Sequence, residues 1–254
     1  MAIDLKHTMS DWEFEKPVAS TASFVEEGQL VVRSFNATTG EEEAAVGAEA
    51  GSQVVLGFAK LDTISPAATR VYTETTEVPA VADGSGDYKV TLGHTLCTAA
   101  IDANGDVAVY DKTNSAWLAV GAAIASGVFT LFNAASGILE FHADEAGIEI
   151  DVYARVTMTA RERDQMYQQR HVNSDAMDDL EKIGVISGTG KIRTDQYDVS
   201  VGDWSSATLE TGALGVITDS AGGGTNIASY VRVTKVPTVD DPFMELEFNL
   251  PMSS

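Results

Sequence analysis

The chain has a single cysteine, Cys97, among 254 residues. No disulfide can close within it, and no cysteine-rich metal site can form. Aromatic residues are scarce at 7%, with three tryptophans in all. That is poor material for a sugar-cleaving cleft, which stacks its substrate on aromatic rings. Basic residues are few: Lys and Arg number 16 against 38 Asp and Glu, giving a net charge of −22 and a pI near 4.3. Such a surface repels phosphate backbones and anionic lipid, which argues against nucleic acid or membrane as a partner. No apolar run approaches the ~18 residues of a spanning helix. Met1 to Ser20 has no apolar signal-peptide core, so the expectation is a chain made and used in a cytoplasm, or assembled there into something larger.

What the chain has in quantity is the material of strands and turns. Hydrophobic residues make up 44%, glycines number 22, and Ala, Val and Thr are abundant. That mix suits short strands better than long helices. Two stretches share a plan. One runs Gly28-Gln29-Leu30, Thr39-Gly40, a loop to Gly51, an apolar run Val54–Phe58 and a stop at Pro66. The other runs Gly202-Asp203-Trp204, Thr211-Gly212, a loop to Gly224, Tyr230–Val233 and a stop at Pro242. We read them as a divergent duplication of a small β module, judged by turn spacing rather than identity.

Residues 1–23 form an N-terminal arm in which Trp12 and Phe14 alternate with acids, suited to docking on a neighbouring subunit. Residues 24–158 form a β domain. Within it, Leu30–Val32 and Val54–Leu56 flank an acidic loop from Asn36 to Gly51. Period-two alternation marks strands at Val71–Thr75 and Tyr88–Leu92, and further strands follow at Val128–Phe132, Gly137–Phe141 and Ile148–Tyr153, with turn signals about every ten residues. Asn104-Gly105, between Ala99–Ile101 and Val107–Tyr110, signals a tight hairpin. Residues 159–184 differ: Thr159-Ala160-Arg161-Glu162 fits a capping box, and Ser174 is a second helix start. We take this as a short helical connector. Residues 185–254 return to strands at Lys191–Arg193, Leu214–Ile217, Tyr230–Val236 and Met244–Phe248. The expected fold is mainly β, two sandwich- or barrel-like modules joined by that connector.

No residue pattern carries a reaction. Asp102 to Asp106 lacks the glycine and glutamate of a calcium loop, since Val107 and Thr113 stand there. Gly188-Thr189-Gly190-Lys191 lacks the first glycine and the hydroxyl of a phosphate loop, having Val185 and Ile192. His94 near Cys97, and His142 near Asp144 and Glu145, supply no third orienting group for a nucleophile. Asn36-Ala37-Thr38 fits a glycosylation pattern that means nothing without a secretory signal. The expectation is a non-enzyme with no cofactor and no metal.

Gly28-Gln29-Leu30-Val31 followed by Val55–Ala59 resembles the small β modules of tailed-bacteriophage capsid decoration (cement) proteins. Lys191–Tyr197 with Val201–Asp203, and Val231–Pro237 running into Glu245–Phe248, resemble segments of phage virion proteins, as do Gly127–Leu131 and Ile150–Ala154. The resemblance spans residues 24–250 and implies a virion protein on the outer capsid surface that clamps neighbouring major capsid subunits. It would be present in many copies, as a dimer or trimer, with no catalytic residue to transfer. Arg33, Arg155, Arg161, Arg163 and Arg170 are then candidates for contacts to acidic neighbours, with Trp12, Phe14 and Trp204 as apolar anchors. The competing readings are a tail-tube or head–tail connector subunit and, from its many carboxylates, a sugar-binding β protein or glycosidase.

Overall fold

Alternating apolar and polar residues, with glycine at the bends, settle this chain into strands. The computed structural model describes residues 3–8, 12–19, 27–60, 69–96, 107–162, 182–205, 207–219 and 223–250. The first strands are β1 (Ile3–Thr8), β2 (Trp12–Pro17), β3 (Leu30–Phe35), β4 (Glu42–Val46) and β5 (Val55–Lys60). The middle of the chain supplies β6 (Thr69–Glu77), β7 (Tyr88–Thr91), β8 (Val107–Asp111), β9 (Ala116–Val120), β10 (Val128–Asn133), β11 (Ile138–Phe141) and β12 (Glu149–Thr157). The rest holds β13 (Lys182–Ser187), β14 (Thr189–Thr194), β15 (Leu209–Thr211), β16 (Ile217–Asp219), β17 (Val231–Lys235) and β18 (Met244–Asn249). The fold is mainly β, as expected.

Residues 182–194 organise the first body. Gly188, at φ 79°, bends this stretch so that β13 and β14 enter different sheets. β1 and β2 run antiparallel beside it, Ile3 to Thr8 opposite Thr194 to Gly190 and Trp12 to Pro17 opposite Ser187 to Lys182. On the other side β13 pairs with β5 and β14 with β18. The resulting sheets have the orders β2-β13-β5-β3-β4 and β1-β14-β18-β17.

The five-stranded sheet curls until its ends meet. Val18 bridges Ala44 of β4, and the Ala19 N–H donates to the Ala44 carbonyl at 2.9 Å. Its narrow inside is filled by small or branched side chains, among them Val31, Ala44, Ala59 and Val185. Its other face packs Leu30, Val32, Phe58 and Ile186 onto Ile192, Val231, Leu246 and Phe248 of the neighbouring sheet. Leu30-Val31-Val32 is thus buried on both sides, which is why it reads as a continuous apolar run. At Gly57 an added Cβ would lie 2.2 Å from the Ile186 carbonyl oxygen, so glycine is what lets β5 lie against β13.

The middle of the chain builds a seven-stranded sheet, β6-β12-β8-β9-β10-β11-β7, antiparallel except between β9 and β10. It bends around its own core of Val90, Phe129, Leu139, Phe141, Ile150 and Val152. Along β12, Ile150, Val152, Ala154 and Val156 face this core, while Tyr153 and Arg155 face the first body.

Several expectations are revised by pairing between distant segments. The arm was expected to reach a neighbouring subunit; β1 and β2 instead complete sheets of their own chain. Strands before residue 61 pair with strands after residue 181, so the sheets cut across a linear division into 24–158 and 185–254. The duplicated plan does not recur in the pairing: β3 and β5 are neighbours, whereas β15 pairs with β16 and β17 joins another sheet. The acidic loop 36–51 contains β4, whose Glu and Ala residues favour helix intrinsically but pair with β3 and bury Ala44. Leu214 to Ile217 is not a strand throughout. Leu214 (φ 54°) and Gly215 (φ 70°) make a turn that brings the Gly215 N–H to the Gly47 carbonyl at 2.8 Å. The capping box forms as read: Glu162 Oε2 accepts the Thr159 N–H at 2.8 Å, and the Glu162 N–H donates to Thr159 Oγ1 at 3.3 Å. A helix opens at Ala160. Its continuation past residue 162, the second helix start at Ser174, Cys97 and the Asn104-Gly105 hairpin lie outside the described residues.

Arg155, 1% exposed, joins the two bodies. Its guanidinium donates to Thr69 Oγ1 at 3.0 Å, to the Tyr197 carbonyl at 2.7 Å and to the Asp195 carbonyl. Burial lifts the Asp195 carboxyl above its ordinary range, and the Arg155 charge pulls it back. Replacing Arg155 by Met strips these carbonyls of their donor and leaves a buried acid without its cation. We expect Arg155→Met to cost about 3–5 kcal/mol in urea unfolding. A loss below about 1 kcal/mol would show that the two bodies hold without it.

Candidate interaction surface

The sequence-selected residues do not converge. Arg155 is buried as described, and Trp204 is 4% exposed, set edge-on against Tyr197 with ring centroids 5.7 Å apart. Both are core residues and cannot meet a partner, because the packing of the two bodies consumes them. Arg33 Nε lies 3.0 Å from Glu42 Oε2, and Lys16 Nζ lies 2.6 Å from Glu42 Oε1. Those contacts staple the closure of the curled sheet. Arg161 is exposed in the first turn of the helix. Arg163 and Arg170 lie outside the described residues, as do the side chains of Trp12 and Phe14.

The surface that does assemble is the outer face of β14, β18 and β17. Alternation buries Ile192, Met244, Leu246, Phe248 and Val231 and turns Lys191, Arg193, Glu245, Glu247 and Arg232 outward. Glu247 sits between Arg232 Nη2 at 2.6 Å and Lys191 Nζ at 3.9 Å. Asp241 is held by Arg193 and Lys235. Arg232 holds the Glu247 carboxyl below its usual range, and Lys235, with Arg193, does the same for Asp241. Lys191, Arg193, Arg232 and Lys235 are four of the chain's 16 basic residues, gathered on one face of a strongly acidic protein.

An open cleft of about 250 Å³ lies at the end of this face, walled by Thr189, Tyr230, Arg232 and Asn249 over Val231 and Phe248. Tyr230 is 43% exposed and the Arg232 side chain 70%. Thr189 Oγ1 donates to Asn249 Oδ1 at 2.9 Å, which fixes the back wall. Tyr and Arg beside an apolar floor are the residue types that carry binding energy at interfaces. The signal for Arg232 was present in the alternation Val231-Arg232-Val233; nothing local distinguished Tyr230.

A second cluster joins β6, the chain beyond β7 and the helix start. Arg70 Nε donates to Glu162 Oε1 at 3.0 Å, and its Nη2 lies 3.1 Å from His94 Nε2. The Tyr72 hydroxyl donates to Glu74 Oε2 at 2.6 Å, and the Gly93 N–H reaches the same oxygen at 3.3 Å. Burial works to raise the Glu162 carboxyl, but its bonds from Thr159 and Arg70 leave it lowered. These acids and bases are engaged with one another, which makes the cluster a staple across the open side of the seven-stranded sheet. Among the described residues no three His, Cys, Asp or Glu side chains are placed to hold a metal ion.

No protein-family model matches this chain, and neither a curated protein nor a solved structure is measurably similar to it.

Three tyrosines are held protonated by their surroundings. Burial and Glu74 push Tyr72 to about 12, burial and Asp151 push Tyr153 to about 12, and burial lifts Tyr197 well above its ordinary value. A tyrosine whose folded pKa exceeds the unfolded value of about 10 stabilises the fold fully below that value. The contribution is lost as pH rises through the folded pKa. In a titration at 295 nm we expect Tyr72, Tyr153 and Tyr197 to remain un-ionised at about pH 11 in the folded chain and to ionise on adding urea. Full ionisation of all seven tyrosines in the native protein at that pH would contradict the packing.

Proposed function

We propose that this protein is a structural component of a tailed-phage virion that decorates the outer capsid and stabilises it by clamping neighbouring major capsid subunits. One observation carries the reading: a mainly β, acidic body bears an exposed cleft walled by Tyr230 and Arg232, residue types suited to meeting a partner. The likeness of the Gly28–Val31 and Val55–Ala59 segments to cement modules points the same way. On a lattice, a modest contact of this kind is multiplied by copy number, so clamping needs no single strong interface. At a net charge of −22, crowded copies repel one another, and basic shell residues beneath them offset that repulsion.

The test is co-sedimentation with assembled, emptied phage heads. Binding is expected to weaken as salt rises from about 0.05 M to about 0.5 M, because screening removes the attraction to a basic shell. Arg232→Ala with Tyr230→Ser, which removes the two side chains that wall the cleft without adding a charge of either sign, should cut the bound fraction at least about tenfold while leaving the melting temperature within a few degrees. Binding to isolated tails and not heads would assign the protein to the tail tube or connector. Absence from both particles would end the virion reading.

A further inference from the structure

Strand edges are where a β protein is open to another chain, and this one guards nearly all of those described. β17 is interrupted by a register shift between Val233 and Lys235 and followed by Pro237. β1 has a shift between Leu5 and His7. β4 is covered by Val18 and Ala19, and β7 spans four residues and carries Lys89. Bulges, short length, lysine, proline and covering segments are the usual devices against edge pairing.

β6 has no bulge, proline or lysine and is not short; only the inward-turned Arg70 and Glu74, held by His94, Glu162 and Gly93, blunt it. It runs nine residues in unbroken register with β12, from Thr69 opposite Thr157 to Glu77 opposite Glu149. Among the described residues no strand pairs with its other edge. The Val78 N–H donates to the Ile148 carbonyl at 3.0 Å, and the Glu149 carbonyl accepts from the Lys112 N–H of the opposite neighbour. Hydrogen-bonding direction alternates along an antiparallel ladder. Even-numbered residues of β6 therefore bond to β12, and Thr73, Thr75 and Glu77 turn their N–H and C=O groups to the free edge. The chain beyond β7 meets the Tyr72 and Glu74 side chains on the inner face. It does not pair with the edge.

The charge along this edge specifies what would pair with it. Glu77 lies directly opposite Glu149, a like-charge pair that costs stability in a sheet. Lys112 relieves Glu149 from the far side at 2.9 Å, and Glu77 makes no ion pair among the described residues. The outward row thus reads cation, acid, acid, and the next strand position asks for a cation. Asp151, beside Thr75, is buried and already met by the Thr75 hydroxyl and by Lys112, which leaves Glu77 as the acid that faces outward.

The geometry points to β6 as the acceptor for an extended, basic segment of a partner protein, added as an eighth strand along Thr73–Glu77 with a Lys or Arg beside Glu77. Main-chain bonds supply the affinity and the Glu77 row selects the sequence. In the decoration reading, on which the partner's identity rests, that segment belongs to a capsid subunit; the edge itself can be tested without shells.

The probe is a seven-residue peptide alternating Lys and Thr, with a Glu/Thr peptide as control, read by hydrogen exchange on the full chain. The basic peptide should slow exchange of the Thr73, Thr75 and Glu77 amides at least about tenfold, and the acidic peptide should not. Thr75→Pro removes an outward N–H without touching the β12 ladder, so it should fold and lose the protection. Glu77→Lys should reverse the preference between the two peptides. No protection at millimolar basic peptide, or equal protection in both variants, overturns the proposal. Peptide protection without co-sedimentation on heads would keep the edge and discard the capsid as its partner.

Discussion

The register of β13 and β14 against β2 and β1 is the constraint on which the first body depends. Residues 182–194 run through two sheets, bent at Gly188 so that β13 and β14 diverge. Every strand of those sheets is placed relative to them: β5 and β18 on one side, β2 and β1 on the other. The curled sheet can close on Val18 only because β2 is held at the far edge by β13. The loops follow. With β3 and β5 fixed, the turn at Gly47–Gln53 lies against Thr211 and Thr225. Thr211 Oγ1 donates to the Ala48 carbonyl at 3.0 Å, and Thr225 Oγ1 accepts from the Gln53 N–H at 2.8 Å. Two turns that looked like copies of one module in the sequence are instead each other's partners.

Between the bodies the binding agent is a buried cation, and that is an expensive choice. Removing a guanidinium and a carboxylate from water costs several kcal/mol each, recovered only when their bonds are made in full. Arg155 meets that condition in part, through carbonyls of residues 195 and 197 of the other body, while its buried Nε has no hydrogen-bond partner. Apolar packing between Tyr153, Val71, Ala108 and the opposite core is non-directional and would tolerate sliding. A forked donor matched to two carbonyls and the Thr69 hydroxyl tolerates little. The exposed ion pairs on β14, β18 and β17, by contrast, add little stability, since water screens them. Their role lies at the surface.

Strand-like patterning made β6, β7, β10, β11, β12, β14, β17 and β18 legible, most of them because a buried and a more exposed face must be matched, and β12 as an apolar stretch buried on both faces. The capping box at Thr159 was legible for a similar reason, being closed within four residues. What failed was non-local. Nothing near Glu42–Val46 says that β3 will recruit it, and nothing near Trp12 says that Ser187 lies opposite. Arg155 and Trp204 were chosen as surface residues because arginine and tryptophan favour interfaces. That preference holds for residues still exposed once the core is built, and these two are consumed in building it. The cleft was invisible because it needs Thr189, Tyr230 and Asn249 from three strands.

Departures from local rules are informative when two of them coincide. A long edge without a bulge, proline or lysine is a hazard, and paired glutamates on adjacent strands are a cost; either alone could be accident. Here both fall at the same end of the same strand, in a chain that guards nearly all the other edges described and sets several of its exposed acids beside cations. Consistency elsewhere makes the lapse specific, since sequences that obey their own rules tend to break them where something else is served. An incoming basic strand would satisfy the open hydrogen bonds and the unbalanced charge in one step. It would also supply the guard that β6 lacks.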